Sequence, residues 1–227
     1  MFGNAEAAAL ARRQIGSFLN YGMDYLSSLP YHGYDRQSGV KYGIIGWGRA
    51  TGWLLMGMSG IICDTGDKEV LAAFREIIDA VNPERAFYCI EPMPWMVPDG
   101  PDEYLQLMRD VDRKQFGVHM DFVNMISSPR RYLAAEQFIE ECFRKLGPYI
   151  KSTHLKDSRM NHTKLTACLE ECSPGEGGLD FERVLPILDR YLPADAPVLL
   201  EHMQTEEEYR RAYDYTAGKA RAAGISV

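Results

Sequence analysis

The segment FGVHMD, residues 116–121, is a short apolar run that ends in a carboxylate. Tyr104, Leu105, Leu107, Met108 and Val111 precede it at helical spacing, and before them lies a second run of the same kind, AFYCIE, residues 86–91. Downstream the pattern recurs. Phe138, Ile139, Cys142, Phe143 and Leu146 mark a helix, IKSTHL (150–155) a strand, Phe181 to Leu192 a helix, and PVLLE (197–201) the last strand. A helix over 70–81 opens the series, and one from Thr205, with Glu208 three residues on as a capping box, closes it. Short apolar strands alternating with amphipathic helices predict parallel strands buried on both faces. The expected fold class is α/β, with the strands arranged as a TIM-type (β/α) barrel.

The first 68 residues lack this rhythm and are rich in glycine. Val40–Ile45 and Ser59–Cys63 read as strands there. The chain is therefore expected to be one domain over 1–227, with 69–227 as clear strand–helix units and 1–68 atypical. Only 90 residues precede Glu91. The N-terminal part of the barrel reads as shortened or rearranged, and an incomplete barrel implies a homo-oligomer.

Each of the four strands ends in a residue able to hold a metal: Glu91, Asp121, His154 and Glu201. In a parallel α/β barrel such positions converge on one mouth. A single acidic residue after a strand is commonly a helix cap; four at equivalent places point to a site. Three carboxylates and one imidazole make an oxygen-rich set. It suits Mn²⁺ first, with Mg²⁺, Co²⁺ or Zn²⁺ as alternatives. His119 shares a strand face with Asp121 and would line the pocket one layer down. Lys156 is two residues after His154 and faces the mouth by the same alternation. Trp95 offers a wall for a sugar ring. His202 is expected to point away from Glu201, toward the helices.

Composition narrows the partners. A net charge of −7 disfavours phosphate backbones. Arg130–Arg131 reads as a solvated helix start. The longest apolar stretch, 53–63, is too short to span a bilayer. Five cysteines without a C-x-x-C pair fit a reduced, cytoplasmic protein. The expected partner is a small sugar or polyol, not nucleic acid or membrane.

Glu91 in IEPMPW, Asp121 in VHMDFVN, His154 in THLKD, PGEG at 174–177 and Glu201 in LLEHM together resemble the xylose isomerase-like TIM barrel superfamily. The resemblance implies that Glu91, Asp121, His154 and Glu201 are metal ligands and that Glu91 and Glu201 are also the catalytic acid/base pair. It implies a divalent-metal-dependent sugar isomerase or epimerase working through an enediolate. The alternatives are a lyase or dehydratase on a keto-sugar or keto-inositol, and an inactive barrel relic or accessory subunit. It also places Asn124, Arg159 and Glu176 near the substrate. Two positions depart from the epimerases of the group. Asn124 stands where they carry histidine, and Met160 where they carry arginine, with Arg159 one residue earlier.

Overall fold

The computed structural model describes residues 3–226, and the chain divides into two compact units. The first holds the chain through Ile90, with Met96–Pro98 and Glu103–Gly117. It begins with α1 (Ala5–Tyr21), whose N-terminus Asn4 caps by accepting the Ala7 N–H. A two-residue antiparallel ribbon, β1 (Gly33–Tyr34) with β2 (Lys41–Tyr42), follows. Then come α2 (Gly48–Thr65), α3 (Lys68–Val81), β3 (Tyr88–Ile90) and the body of α4 (Pro101–Val111). The first two residues of β4 (Phe116–Met120) end the unit. Phe74 of α3 meets Phe116 edge-on, with ring centroids 5.2 Å apart.

Two strand expectations are corrected here. Residues 59–63 lie inside α2, and of 40–45 only Lys41–Tyr42 is a strand. Leu54, Leu55, Met58, Ile61 and Ile62 of α2 are all buried, so the helix shows no polar stripe from which its period could be read. The hydroxyls of Thr51, Ser59 and Thr65 bond back to the carbonyls four residues earlier, so each is satisfied within the helix itself.

The second unit holds Glu91–Trp95, Asp99–Asp102 and everything from Val118 onward. After β4 come two short helices, α5 (Phe122–Met125) and α6 (Pro129–Leu133), then α7 (Ala135–Leu146). The strand β5 (Ile150–Leu155) leads into an antiparallel hairpin, β6 (Asp157–Met160) with β7 (Leu169–Cys172). The helix α8 (Phe181–Tyr191), the strand β8 (Val198–Leu200) and the helix α9 (Glu206–Ala222) complete it. β4, β5 and β8 run parallel in that order, and α8 packs between α7 and α9. The architecture is mixed α/β with a parallel sheet, and N-terminal to β3 the βα units are replaced by helices.

β8 departs from the expectation of strands buried on both faces. Val198 and Leu199 are 46% and 45% exposed. Among the described residues β8 pairs with β5 alone, so the sheet ends there. Arg131 also departs from a solvated reading. Its guanidinium donates to the carbonyls of Asp99 and Met125 and to Ser127 Oγ, tying the start of α6 to two loops. No described helix is long and apolar enough to cross a membrane.

Candidate metal centre

Glu91 follows β3 directly, Asp121 follows β4, His154 is the penultimate residue of β5, and Glu201 follows β8. All four belong to the second unit. Between Val118 and His119 the pairing of β4 with β5 slips by one residue. Before the slip Val118 faces Ile150; after it His119 faces Ser152 and Met120 faces Thr153. A one-residue slip exchanges faces. Without it His119 would stand opposite Lys151, on the other face from His154. The bulge thus sets His119 and Asp121 on the face that carries Ser152 and His154.

Around His154 Nδ1 lie three carboxylate oxygens: Glu91 Oε1 at 3.0 Å, Glu201 Oε2 at 3.1 Å and Asp121 Oδ2 at 3.5 Å. One ring proton cannot serve three acceptors. Burial lowers the His154 pKa, but the Asp121 and Glu91 carboxylates beside its ring and the charge of Glu201 outweigh it and raise it to about 9. The cluster favours positive charge at its centre.

Asp121 shows the same demand. Its Oδ1 caps α5 by accepting the Asn124 N–H at 2.8 Å. Its Oδ2 is shielded from water and lies 2.9 Å from Lys156 Nζ, yet accepts no well-aligned hydrogen bond from a described residue. Burial pushes the Asp121 pKa up, and His154 and Lys156 outweigh it, so the group stays below its usual value.

Lys156 is 1% exposed, and its ammonium also reaches Glu201 Oε2 at 3.0 Å and Glu171 Oε2 at 2.7 Å. Burial lowers its pKa, but the charge of Asp121 and the bonds to Glu171 and Glu201 raise it overall. Its three protons therefore face three carboxylates.

One ligand atom each from Glu91, Asp121, His154 and Glu201 lie within 4.8 Å of one another. The three carboxylates of that set carry a formal −3 with His154 neutral, and Lys156 is shared with Glu171, so a divalent cation would offset charge that remains. The orphaned Asp121 oxygen and the hard donor set both fit such an ion.

Beside the cluster is a cavity of about 550 Å³. Met93, Pro94, Trp95, Val123 and Ile126 line one part of it; Glu91, Asn124, Lys156 and Glu201 line another. Asn124 Nδ2 lies 3.5 Å from Glu91 Oε1 and its Oδ1 3.3 Å from Lys156 Nζ. Trp95 is 73% exposed along this cavity. His119 is half-buried, its Nδ1 2.5 Å from Ser152 Oγ, and burial followed by the charge of His154 lowers its pKa.

Arg159 and Glu176 are not among the lining residues. Arg159 lies along the hairpin and pairs with Glu170 at 3.4 Å. Glu176 is exposed at the tip of a loop whose backbone is held by Asp157.

His202 lines the cavity, contrary to the sequence reading, with Nε2 3.1 Å from Glu201 Oε1. Its φ of 66° breaks the alternation of the strand and turns the ring to the same side as Glu201. Sequence alternation alone could not show that turn. Glu171 was also missed, because the hairpin that carries it has no apolar pattern to read.

Residues 52–218 match the family model for the xylose isomerase-like TIM barrel. Among solved structures, a xylose isomerase domain protein from Planctomyces limnophilus aligns with a TM-score of 0.54 at 16% identity, over 78% of this chain and 66% of its own. A D-psicose 3-epimerase solved in the presence of D-fructose gives 0.51 at 14%, over 89% and 77%. A xylose isomerase-like TIM barrel protein from Mycobacterium smegmatis, in complex with magnesium, gives 0.50 at 15%, over 70% and 51%. At these identities the likeness is one of fold. This chain spans less than two thirds of the Planctomyces structure and about half of the Mycobacterium one. A search of the curated proteins found no match.

Proposed function

The chain belongs to the xylose isomerase-like TIM barrel family, and from that premise we propose that it is a divalent-metal-dependent isomerase or epimerase acting on a small sugar or polyol-derived ketone. The observation that carries the proposal is the gathering of Glu91, Asp121, His154 and Glu201 around one point beside a cavity of sugar size. These four side chains would hold the ion, with Mn²⁺ the preferred choice.

A divalent ion bound there supplies Lewis acidity, polarising a carbonyl and stabilising the charge of an enediolate. Glu91 and Glu201 do the proton work. One takes the proton next to the carbonyl and the other returns it, on the opposite face for epimerisation. Lys156 offsets the negative charge of Asp121 and Glu201 and keeps both carboxylates in place. Asn124 steadies Glu91 and offers an amide to a substrate hydroxyl, but it cannot carry a proton. Trp95 and Met93 give the carbon face of a sugar an apolar surface.

The test is solvent exchange. Candidate ketoses, keto-inositols and their phosphates are incubated with the protein and Mn²⁺ in D₂O, and the proton next to the carbonyl is followed by NMR. Deuterium entry that disappears in both Glu91→Gln and Glu201→Gln supports the pair. Entry that survives loss of one carboxylate assigns the base to the other alone. Loss of water from a keto-inositol or keto-sugar instead assigns the lyase alternative. No reaction with any of them favours the inactive relic or accessory subunit.

A further inference from the structure

His119 sits one layer below the strand ends, on the face that the β4–β5 slip turns toward the site. Two contacts fix its ring. Its Nδ1 is 2.5 Å from Ser152 Oγ, and the ring stands edge-on to His154, with centroids 4.1 Å apart and planes at 88°. In the tautomer that donates Nδ1–H to the serine, Nε2 keeps its lone pair. A histidine held at one nitrogen and open at the other is the arrangement that metal-ligating histidines adopt.

One ligand atom each from Glu91, His119 and His154 also fall within 4.8 Å of one another, a grouping that shares Glu91 and His154 with the four-residue set. Two imidazoles and one carboxylate, with further positions open, are the donors of many catalytic zinc sites. The four-residue set is richer in oxygen and harder. We propose that Glu91, His119 and His154 form a second cation position that overlaps the first and selects borderline ions such as Zn²⁺ or Co²⁺. The set with Asp121 and Glu201 takes Mn²⁺ or Mg²⁺. Glu91 and His154 belong to both sets, so the positions are alternatives and one ion is bound at a time. The inference rests on the metal-site reading above and adds that His119 decides which ions the site prefers.

The experiment is metal binding to the metal-free full chain, read by calorimetry with chelator competition and by the visible spectrum of Co²⁺. His119→Phe keeps the edge-on ring and removes the donor; His119→Gln is the second variant should the first fail to fold. The expected result is Zn²⁺ and Co²⁺ affinity lower by about tenfold or more, as loss of a directing donor produces, an altered Co²⁺ spectrum, and Mn²⁺ affinity nearly unchanged. Asp121→Asn should weaken Mn²⁺ more than Zn²⁺. Zn²⁺ affinity that ignores His119, equal losses for Zn²⁺ and Mn²⁺, or two ions bound per chain would overturn the inference while leaving the four-residue site standing. A wild-type chain that binds no metal overturns both.

Discussion

Asp157 and Gly177 are fitted to each other: the Gly177 N–H donates to Asp157 Oδ2 at 3.1 Å, and a Cβ on Gly177 would fall 2.2 Å from Asp157 Oδ1. The same carboxylate accepts the N–H groups of Ser158, Gly175 and Leu179. PGEG is thus a loop that one buried carboxylate gathers against β6, and Gly177 keeps space for that carboxylate. Gly177→Ala should cost about 2 kcal/mol through overpacking. Asp157→Ala should cost about 3 kcal/mol by leaving buried N–H groups unpaired. Urea unfolding measures both; equal stability of Gly177→Ala and wild type would refute the fit.

Lys156 gives a prediction that differs with and without metal. Lys156→Met leaves the buried Asp121 carboxylate facing Glu201 without its cation. The metal-free variant should lose about 3 kcal/mol, as when one partner of a buried pair is removed. Added Mn²⁺ should restore stability, because a divalent ion supplies the missing charge and binding favours the folded state. Thermal unfolding with and without Mn²⁺ reads this; the same deficit in both conditions would show that Lys156 is needed only for packing.

Much of the second unit was legible because its strands and helices obey simple periods. The capping box at Thr205 and Glu208 forms as its spacing predicts, with Thr205 Oγ accepting the Glu208 N–H. Asp121 ends an apolar run, and that position alone places it at the strand end beside His154. Elsewhere the period was silent. α2 is apolar on most sides and carries Gly52, Gly57 and Gly60, so its residues 59–63 looked like a strand. The β6–β7 hairpin is short and polar, and it is held by Asp157 and by the Lys156–Glu171 pair rather than by an apolar face. His202 takes a left-handed backbone, which no alternation rule anticipates.

In the first unit, Asp67 should make stability depend on pH. It caps α3 by accepting the N–H groups of Glu69 and Val70, and it pairs with Arg12 of α1. Burial raises its pKa, but the Val70 N–H and Arg12 outweigh it, so the folded value lies below the ordinary one. A depressed carboxylate adds stability that is present above its unfolded pKa, near 4, and is lost as pH falls through the folded value. Asp67→Asn retains a capping oxygen but not the charge. It should be less stable than wild type at pH 7 by about 0.5 to 1 kcal/mol, the scale of a partly exposed ion pair with a charge at a helix N-terminus. The gap should close in acid. A gap that stays constant from pH 7 to pH 2 would assign the whole effect to packing.

The free edge of β8 leads to the last prediction. Val198 faces the helix side of the sheet, where Leu155, Leu185, Leu188, Leu200 and Tyr213 line an apolar groove of about 460 Å³. In a closed parallel barrel both faces and both edges of such a strand are covered. Here the outer backbone groups of β8 meet no strand among the described residues, and Val198 is half exposed. An uncovered edge beside apolar surface recruits another chain, and a second copy is always at hand. The wild-type protein should therefore show a mass above its 25.7 kDa monomer that rises with concentration. Val198→Lys puts a charge at the edge, as natural edge strands do, and should shift the mass toward the monomer without unfolding the chain. Light scattering across a concentration series decides the matter. A wild-type monomer at every concentration, with no binding of the apolar dye ANS, would mean that the edge recruits no second copy.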